Sequence, residues 1–215
     1  ANVNAKGYVA YVSNFDKMRG TLDVSGAIID ADFVNAYLED DLSDDITLPK
    51  MSVSGLVDFS PGLISGDVKA KTNGGDMALT AEWNSKKTGY DVDLDLNQFP
   101  VDAFVPRYGV GKVSGSLSAK GERFDPFDLS MKVVAQADIK SAEYMGVKYE
   151  SIRAKVEKEG NNADIELNSE NPTANLDLTA SCKFDRTSLE WDVVADVRHF
   201  DLYAFNLDES NSAIA

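Results

Sequence analysis

Apolar side chains fall on every second residue through most of the stretch from residue 70 to 197. Met77, Leu79, Ala81 and Trp83 alternate with Asp76, Ala78, Thr80 and Glu82, and Tyr90, Val92, Leu94 and Leu96 alternate with Asp91, Asp93 and Asp95. The longest run is Phe127, Leu129, Met131, Val133, Ala135, Ala137 and Ile139. Later runs are Ala163, Ile165 and Leu167, then Ala174, Leu176, Leu178, Ala180, Cys182 and Phe184. Successive side chains of a strand point to opposite faces, so each run predicts a strand with one apolar and one wet face. Turn residues at Asn73-Gly74-Gly75, 84–89, Met145-Gly146 and Glu159-Gly160-Asn161-Asn162 separate the runs at hairpin spacing. The pattern predicts an all-β fold: an antiparallel meander of ten or more strands, curled into a half-pipe, groove or β-taco. Helix is expected only as short caps, over 31–42, where Phe33, Val34, Tyr37 and Leu38 share a face, and over 100–108.

The chain also resembles itself. Val24-Ser25-Gly26, Val53-Ser54-Gly55 and Val113-Ser114-Gly115 repeat one short string. Residues 90–106 align with 191–207 through Asp91/Asp192, Val92/Val193, Asp95/Asp196, Phe99/Phe200, Ala103/Ala204 and Phe104/Phe205. This describes a strand that ends in a Phe-containing corner and enters a short turn whose Ala-Phe pair packs back on the sheet. A single repetitive β domain over 1–215 follows, with 208–215 as a polar, flexible tail. The chain opens at Ala1 with neither an initiator methionine nor a signal peptide, as a mature product or an excised segment of a longer protein would.

Charge narrows the partners. With 36 acidic and 21 basic residues the net charge is −15, which opposes nucleic acid and anionic membrane surfaces. No apolar run approaches the ~20 residues of a membrane-spanning helix. One cysteine, Cys182, allows no intrachain disulfide, and its place in an alternating run predicts an inert buried thiol. Candidate chemistry is sparse. The single histidine, His199, has no nucleophile or acid at a catalytic spacing, and no phosphate-binding glycine loop or zinc spacing occurs. Asp91, Asp93 and Asp95 share a wet face, and Glu39, Asp40, Asp41, Asp44 and Asp45 crowd a loop. Neither completes a calcium-loop pattern, since Leu96 stands where the first would need glycine. The expectation is a protein without enzymatic activity, cofactor or metal.

A half-apolar sheet hides its greasy face against a second sheet or around a guest, and the alternation leaves both open. The residues expected to face inward are Met77, Leu79, Trp83, Val92, Leu94, Leu129, Met131, Val133, Ile165, Leu167, Leu176, Leu178, Trp191 and Val193. In an open groove they line a path for lipid acyl chains. In a closed sandwich or barrel they fill a core, and the chain acts as a binding or adhesion module with Trp83, Tyr90 and Trp191 available to a glycan or protein ligand.

The stretch 48–207 resembles the TamB and AsmA-like group of Bacteroides-type bacteria. The resemblance rests on Met51-Ser52-Val53-Ser54-Gly55-Leu56, on Gly111-Lys112-Val113-Ser114-Gly115-Ser116-Leu117-Ser118-Ala119-Lys120-Gly121 leading into Asp125-Pro126, and on Ala142-Glu143-Tyr144-Met145-Gly146-Val147-Lys148-Tyr149-Glu150-Ser151-Ile152. A Gly160-Asn161 turn and a strand ending near Asn171-Pro172 follow. The resemblance implies a long curled sheet with a continuous apolar groove, lying in the periplasm. It would serve outer-membrane biogenesis or phospholipid transfer, with outer-membrane assembly or envelope proteins as partners. Typical members are far longer, so this chain would be a segment, without the membrane anchor or terminal family domain.

Overall fold

The computed structural model describes residues 2–14, 16–29, 47–125, 127–184, 188–202 and 213–214. Thirteen strands follow one another in a single sheet, each hydrogen-bonded to the next and antiparallel to it. They are β1 (Asn2–Ala10), β2 (Arg19–Ile28), β3 (Met51–Ser60), β4 (Leu63–Thr72), β5 (Asp76–Asn84), β6 (Gly89–Pro100), β7 (Val110–Glu122), β8 (Lys132–Tyr144), β9 (Val147–Glu159), β10 (Asn162–Asn171), β11 (Ala174–Phe184), β12 (Leu189–Asp201) and the two-residue β13 (Ala213–Ile214). The meander does not close: β1 pairs only with β2, and β12 pairs with β11 and, at Phe200 and Asp201, with β13. The expected open half-pipe topology is what forms. Barrel closure does not, because among the described residues the first and last strands do not pair.

Local chemistry sets the turns. Thr72 Oγ1 accepts hydrogen bonds from Gly74 and Gly75 N–H at 3.1 Å each and donates to Gly75 O, which closes the β4–β5 hairpin. Asn84 Oδ1 takes Lys86 and Lys87 N–H before β6. Met145 (φ 51°) and Gly146 (φ 80°) both sit in the left-handed region, as a two-residue hairpin loop that matches strand twist requires. Asn171 Oδ1 receives the Thr173 N–H at 2.8 Å between β10 and β11.

The cap expected over 100–108 is two single 3-10 turns, Val101–Ala103 and Pro106–Tyr108, ended by Gly109 at φ 65°. Phe104 stacks on Phe99 with ring centroids 5.0 Å apart, and Thr47 ties the turn down through bonds to Ala103 O and Phe104 O. Phe99 and Val113 are buried beside it, so the Ala-Phe corner packs as the repeat suggested. Its second copy, at Ala204 and Phe205, lies outside the described residues, as do the cap expected over 31–42 and the acidic cluster from Glu39 to Asp45. Within the stretch read as a flexible tail, Ala213 and Ile214 pair with Asp201 and Phe200. No helix among the described residues is long and apolar enough to cross a membrane.

Candidate functional site

Cross-strand partners share a face, so the register defines rows that run across the whole sheet. One row is Ala5, Val24, Gly55, Val68, Leu79, Leu94, Leu117, Ala137, Ala154, Leu167, Leu178 and Ala195, one residue from each of β1 to β12. The next row is Gly7, Leu22, Val57, Gly66, Ala81, Val92, Ala119, Ala135, Val156, Ile165, Ala180 and Val193. Neither row contains a charged or polar side chain. At a strand spacing of about 4.8 Å each row is roughly 50 Å long. No second layer of described residues covers this face. Its larger side chains are half-buried from β2 to β11 apart from Ile64, Trp83 and Leu117 and are exposed on β12, and small ones between them, Ala70, Ala163, Ala180 and Cys182, are buried.

The register puts twelve of the fourteen expected inward residues on this face. Leu79, Leu94, Leu167 and Leu178 lie in the first row, and Val92, Ile165 and Val193 in the second. Trp83, Val133 and Trp191 belong to a row on one side, Met77 and Leu176 to a row on the other. Leu129 is a correction, and Met131, half-buried, stands just before β8 and outside its register. β8 begins at Lys132, because Asp125 Oδ1 captures the Phe127 N–H at 2.9 Å and Asp128 Oδ1 captures the Ser130 N–H at 2.8 Å, which turns the chain where the alternation extended a strand. Leu129 there is 73% exposed. The reading missed Leu22, Val24, Val57, Val68, Leu117, Ile152 and Val156. Glycines interrupt the alternation in β2, β3, β4 and β7, and Lys155 and Lys158 flank Val156 in β9, yet the period of two persists beneath both.

One cation enters the apolar side. Lys158 sits between Val133 and Ala163 in register and is 7% exposed, with its ammonium carried out to Gly160 O at the β9–β10 turn. The margin across from it is polar: Ser169 Oγ donates to Ala174 O at 2.6 Å, and Asn171 is buried.

The opposite face is wet and laced by cross-strand pairs. Lys120 meets Asp91 at 2.5 Å, Lys132 meets Glu159 at 2.5 Å, and Arg198 meets Asp177 at 2.6 Å. The hydrogen bond and charge of Lys132 hold the Glu159 carboxyl below its ordinary range, and those of Arg198, with a bond from Asn168, do the same for Asp177. A cleft of about 850 Å³ lies here, not on the apolar side. Its lining pairs Asp93 with Asp95, Ser116 with Ser118, Gln136 with Asp138, Arg153 with Lys155, Glu166 with Asn168 and Asp177 with Thr179. Between each pair stands one residue of the first apolar row, whose backbone makes the floor, while the neighbouring apolar rows do not reach it.

Asp91, Asp93 and Asp95 share this wet face as expected, with Asp91 engaged by Lys120. No group of three His, Cys, Asp or Glu side chains able to hold a metal ion occurs among the described residues. His199 is half-buried opposite Asn175. Burial pushes the Cys182 thiol above its ordinary pKa, which suppresses the reactive thiolate. No protein-family model, no curated protein and no solved structure matches the chain.

Proposed function

We propose that the chain is a lipid-handling segment of a cell-envelope protein, with the apolar face of its sheet as a path for acyl chains. The observation that carries this reading is the pair of uncharged rows that cross twelve strands with no other layer of described residues over them. A contiguous apolar surface of this extent marks an interaction site for an apolar partner. Burying a methylene contributes ~0.8 kcal/mol, so a sixteen-carbon chain gains up to about 13 kcal/mol before ordering costs. Within these rows nothing but Leu, Val, Ile, Ala and Gly meets the guest, so no single position pins it. That uniformity suits movement along the sheet better than tight storage. The resemblance to the TamB and AsmA-like group supports the same role between inner and outer membranes, in outer-membrane biogenesis or phospholipid transfer, without catalysis.

Lipid extraction and mass spectrometry of gently purified protein test the proposal. Phospholipid is expected with the native chain and with Asp93→Asn on the wet face, and is expected to disappear with Leu94→Asp and to fall with the milder Leu94→Asn. Lipid-free native protein that also fails to bind a fluorescent sixteen-carbon fatty acid would overturn it. Trp83 and Trp191, 43% and 53% exposed on the apolar side, favour a second reading as a glycan platform. A glycan-array signal lost on Trp83→Ala would establish it.

A further inference from the structure

The two ends of the strands differ in chemistry. At the end reached by the β3–β4, β5–β6, β7–β8 and β9–β10 turns, the outermost row of the apolar face runs through Phe59, Ile64, Trp83, Tyr90, Gly121 and Val133. The margin at the other end is polar, at Thr72, Ser169 and Asn171. Beyond the aromatic row the β7–β8 turn carries Phe124, Phe127 and Leu129, 65%, 48% and 73% exposed, and Ile64 and Trp83 are also open to solvent. These five residues lie on β4, β5 and the β7–β8 turn, at least three strands in from β1 and from β12. Their exposure owes nothing to the outer edges of the sheet.

The turns of this end are fastened to one another. Ser85 N–H donates to Gly62 O at 2.9 Å, Arg123 N–H to Thr88 O at 2.8 Å and Gly160 N–H to Met131 O at 3.1 Å, which links four successive turns through the backbone. Within the β7–β8 turn, Asp125 and Asp128 accept the Phe127 and Ser130 N–H groups, and Arg123 pairs with Asp128 at 3.1 Å. The carboxylates of the turn are therefore engaged within it, while its large apolar side chains stay in water. Phe124 stacks on Tyr90 with ring centroids 4.8 Å apart, which holds its ring at the margin of the apolar face.

Charge marks the same end. Lys86 and Lys87 fill the β5–β6 turn between Trp83 and Tyr90, both exposed and without an ion pair among the described residues. By contrast, the connection that joins β2 to β3 at the opposite end has, in sequence, seven acidic residues from Asp30 to Asp45 against Lys50. Exposed rings and aliphatic tips flanked by free lysines suit the interfacial zone of a bilayer, where rings sit among the upper acyl groups and ammonium groups reach the phosphates.

We propose that this end of the sheet docks on a phospholipid bilayer, with Trp83, Phe127 and Leu129 inserted below the headgroups and Lys86 and Lys87 against lipid phosphates. Two observations choose this occupant. The lysines are complementary to phosphate, and the inserted row is the margin of the same apolar face that receives acyl chains, so lipid enters at the side of the sheet. The entry of lipid rests on the reading in the preceding subsection, and the docking does not.

Flotation of the full chain with phosphatidylcholine vesicles, with and without phosphatidylglycerol, tests the proposal. The native chain is expected to float with both, more strongly where phosphatidylglycerol is present. Phe127→Ser/Leu129→Ser, which spares the Phe124–Tyr90 stack, is expected to cut binding about tenfold. Lys86→Glu/Lys87→Glu is expected to weaken it several-fold on the anionic vesicles, a loss that shrinks in high salt. Met145→Ser, at a side chain 71% exposed at the opposite end, is expected to float as the native chain does. The proposal falls if the native chain stays in solution with both vesicles, if Phe127→Ser/Leu129→Ser floats unchanged, or if Met145→Ser loses binding equally. Uptake of a fluorescent sixteen-carbon fatty acid, measured alongside, separates the two readings. Vesicle binding without uptake upholds the docking and overturns the acyl path, and uptake without vesicle binding does the reverse.

Discussion

Single residues hold this sheet in register by being small or by pairing across strands. Gly121 is the clearest case of the first: a Cβ there would come 2.6 Å from both Lys132 O and the Tyr90 hydroxyl. Gly121→Ala is therefore expected to cost about 1–3 kcal/mol in urea unfolding, in the manner of an overpacked core site. Asp177 is the case of the second. Arg198 and Asn168 lower its carboxyl pKa in the folded chain, so its contribution is present at neutral pH and is lost as pH falls through the lowered value. Native protein should be more heat-stable than Asp177→Asn near pH 7, with the difference in Tm vanishing under acid. A difference that grows on acidification would contradict the assignment.

At the scale of elements, hairpins of near-ideal geometry alternate with irregular corners. The Met145-Gly146 turn has both residues at positive φ, yet Met145 is a side chain that dislikes that region. Met145→Asn should stabilise the β8–β9 hairpin by about 0.5–1 kcal/mol, read as a shift in the urea midpoint with unchanged slope. Elements were legible in the amino acids where alternation ran unbroken, as in β5, β6, β10 and β11. The start of β8 was not, because Phe127, Leu129 and Met131 keep the period of two through a turn that Asp125 and Asp128 impose by hydrogen bonding. Likewise, the helix-like spacing at 100–108 resolves into two short turns because Phe99 and Phe104 stack and Pro106 restarts the chain. On the candidate face the large residues were readable. The glycine-punctuated strands β2 to β4 and β7 were hidden, since glycine gives no sign of which face it occupies.

Among its described residues the molecule is one layer thick. Its accessible surface is 13984 Å², against roughly 9,700 Å² expected for a compact monomer of 23.4 kDa. Small-angle scattering of dilute protein should give a radius of gyration clearly above the ~17 Å of a compact chain of this length, and a compact value would contradict the open sheet. Among the described residues the charged side chains of the strands, Lys158 aside, sit on the wet side, which disfavours face-to-face collapse of copies through that side.

A meander in strict sequence order has a mechanical corollary. Each strand leans only on the two beside it in the chain, so cohesion is a sum of nearest-neighbour terms and loosening proceeds from the rims. Amide deuteration should then trace a gradient, fastest in β1 and along β12, slowest around β6 to β9. A ligand or companion strand that caps one rim should slow exchange there first and leave the far rim untouched.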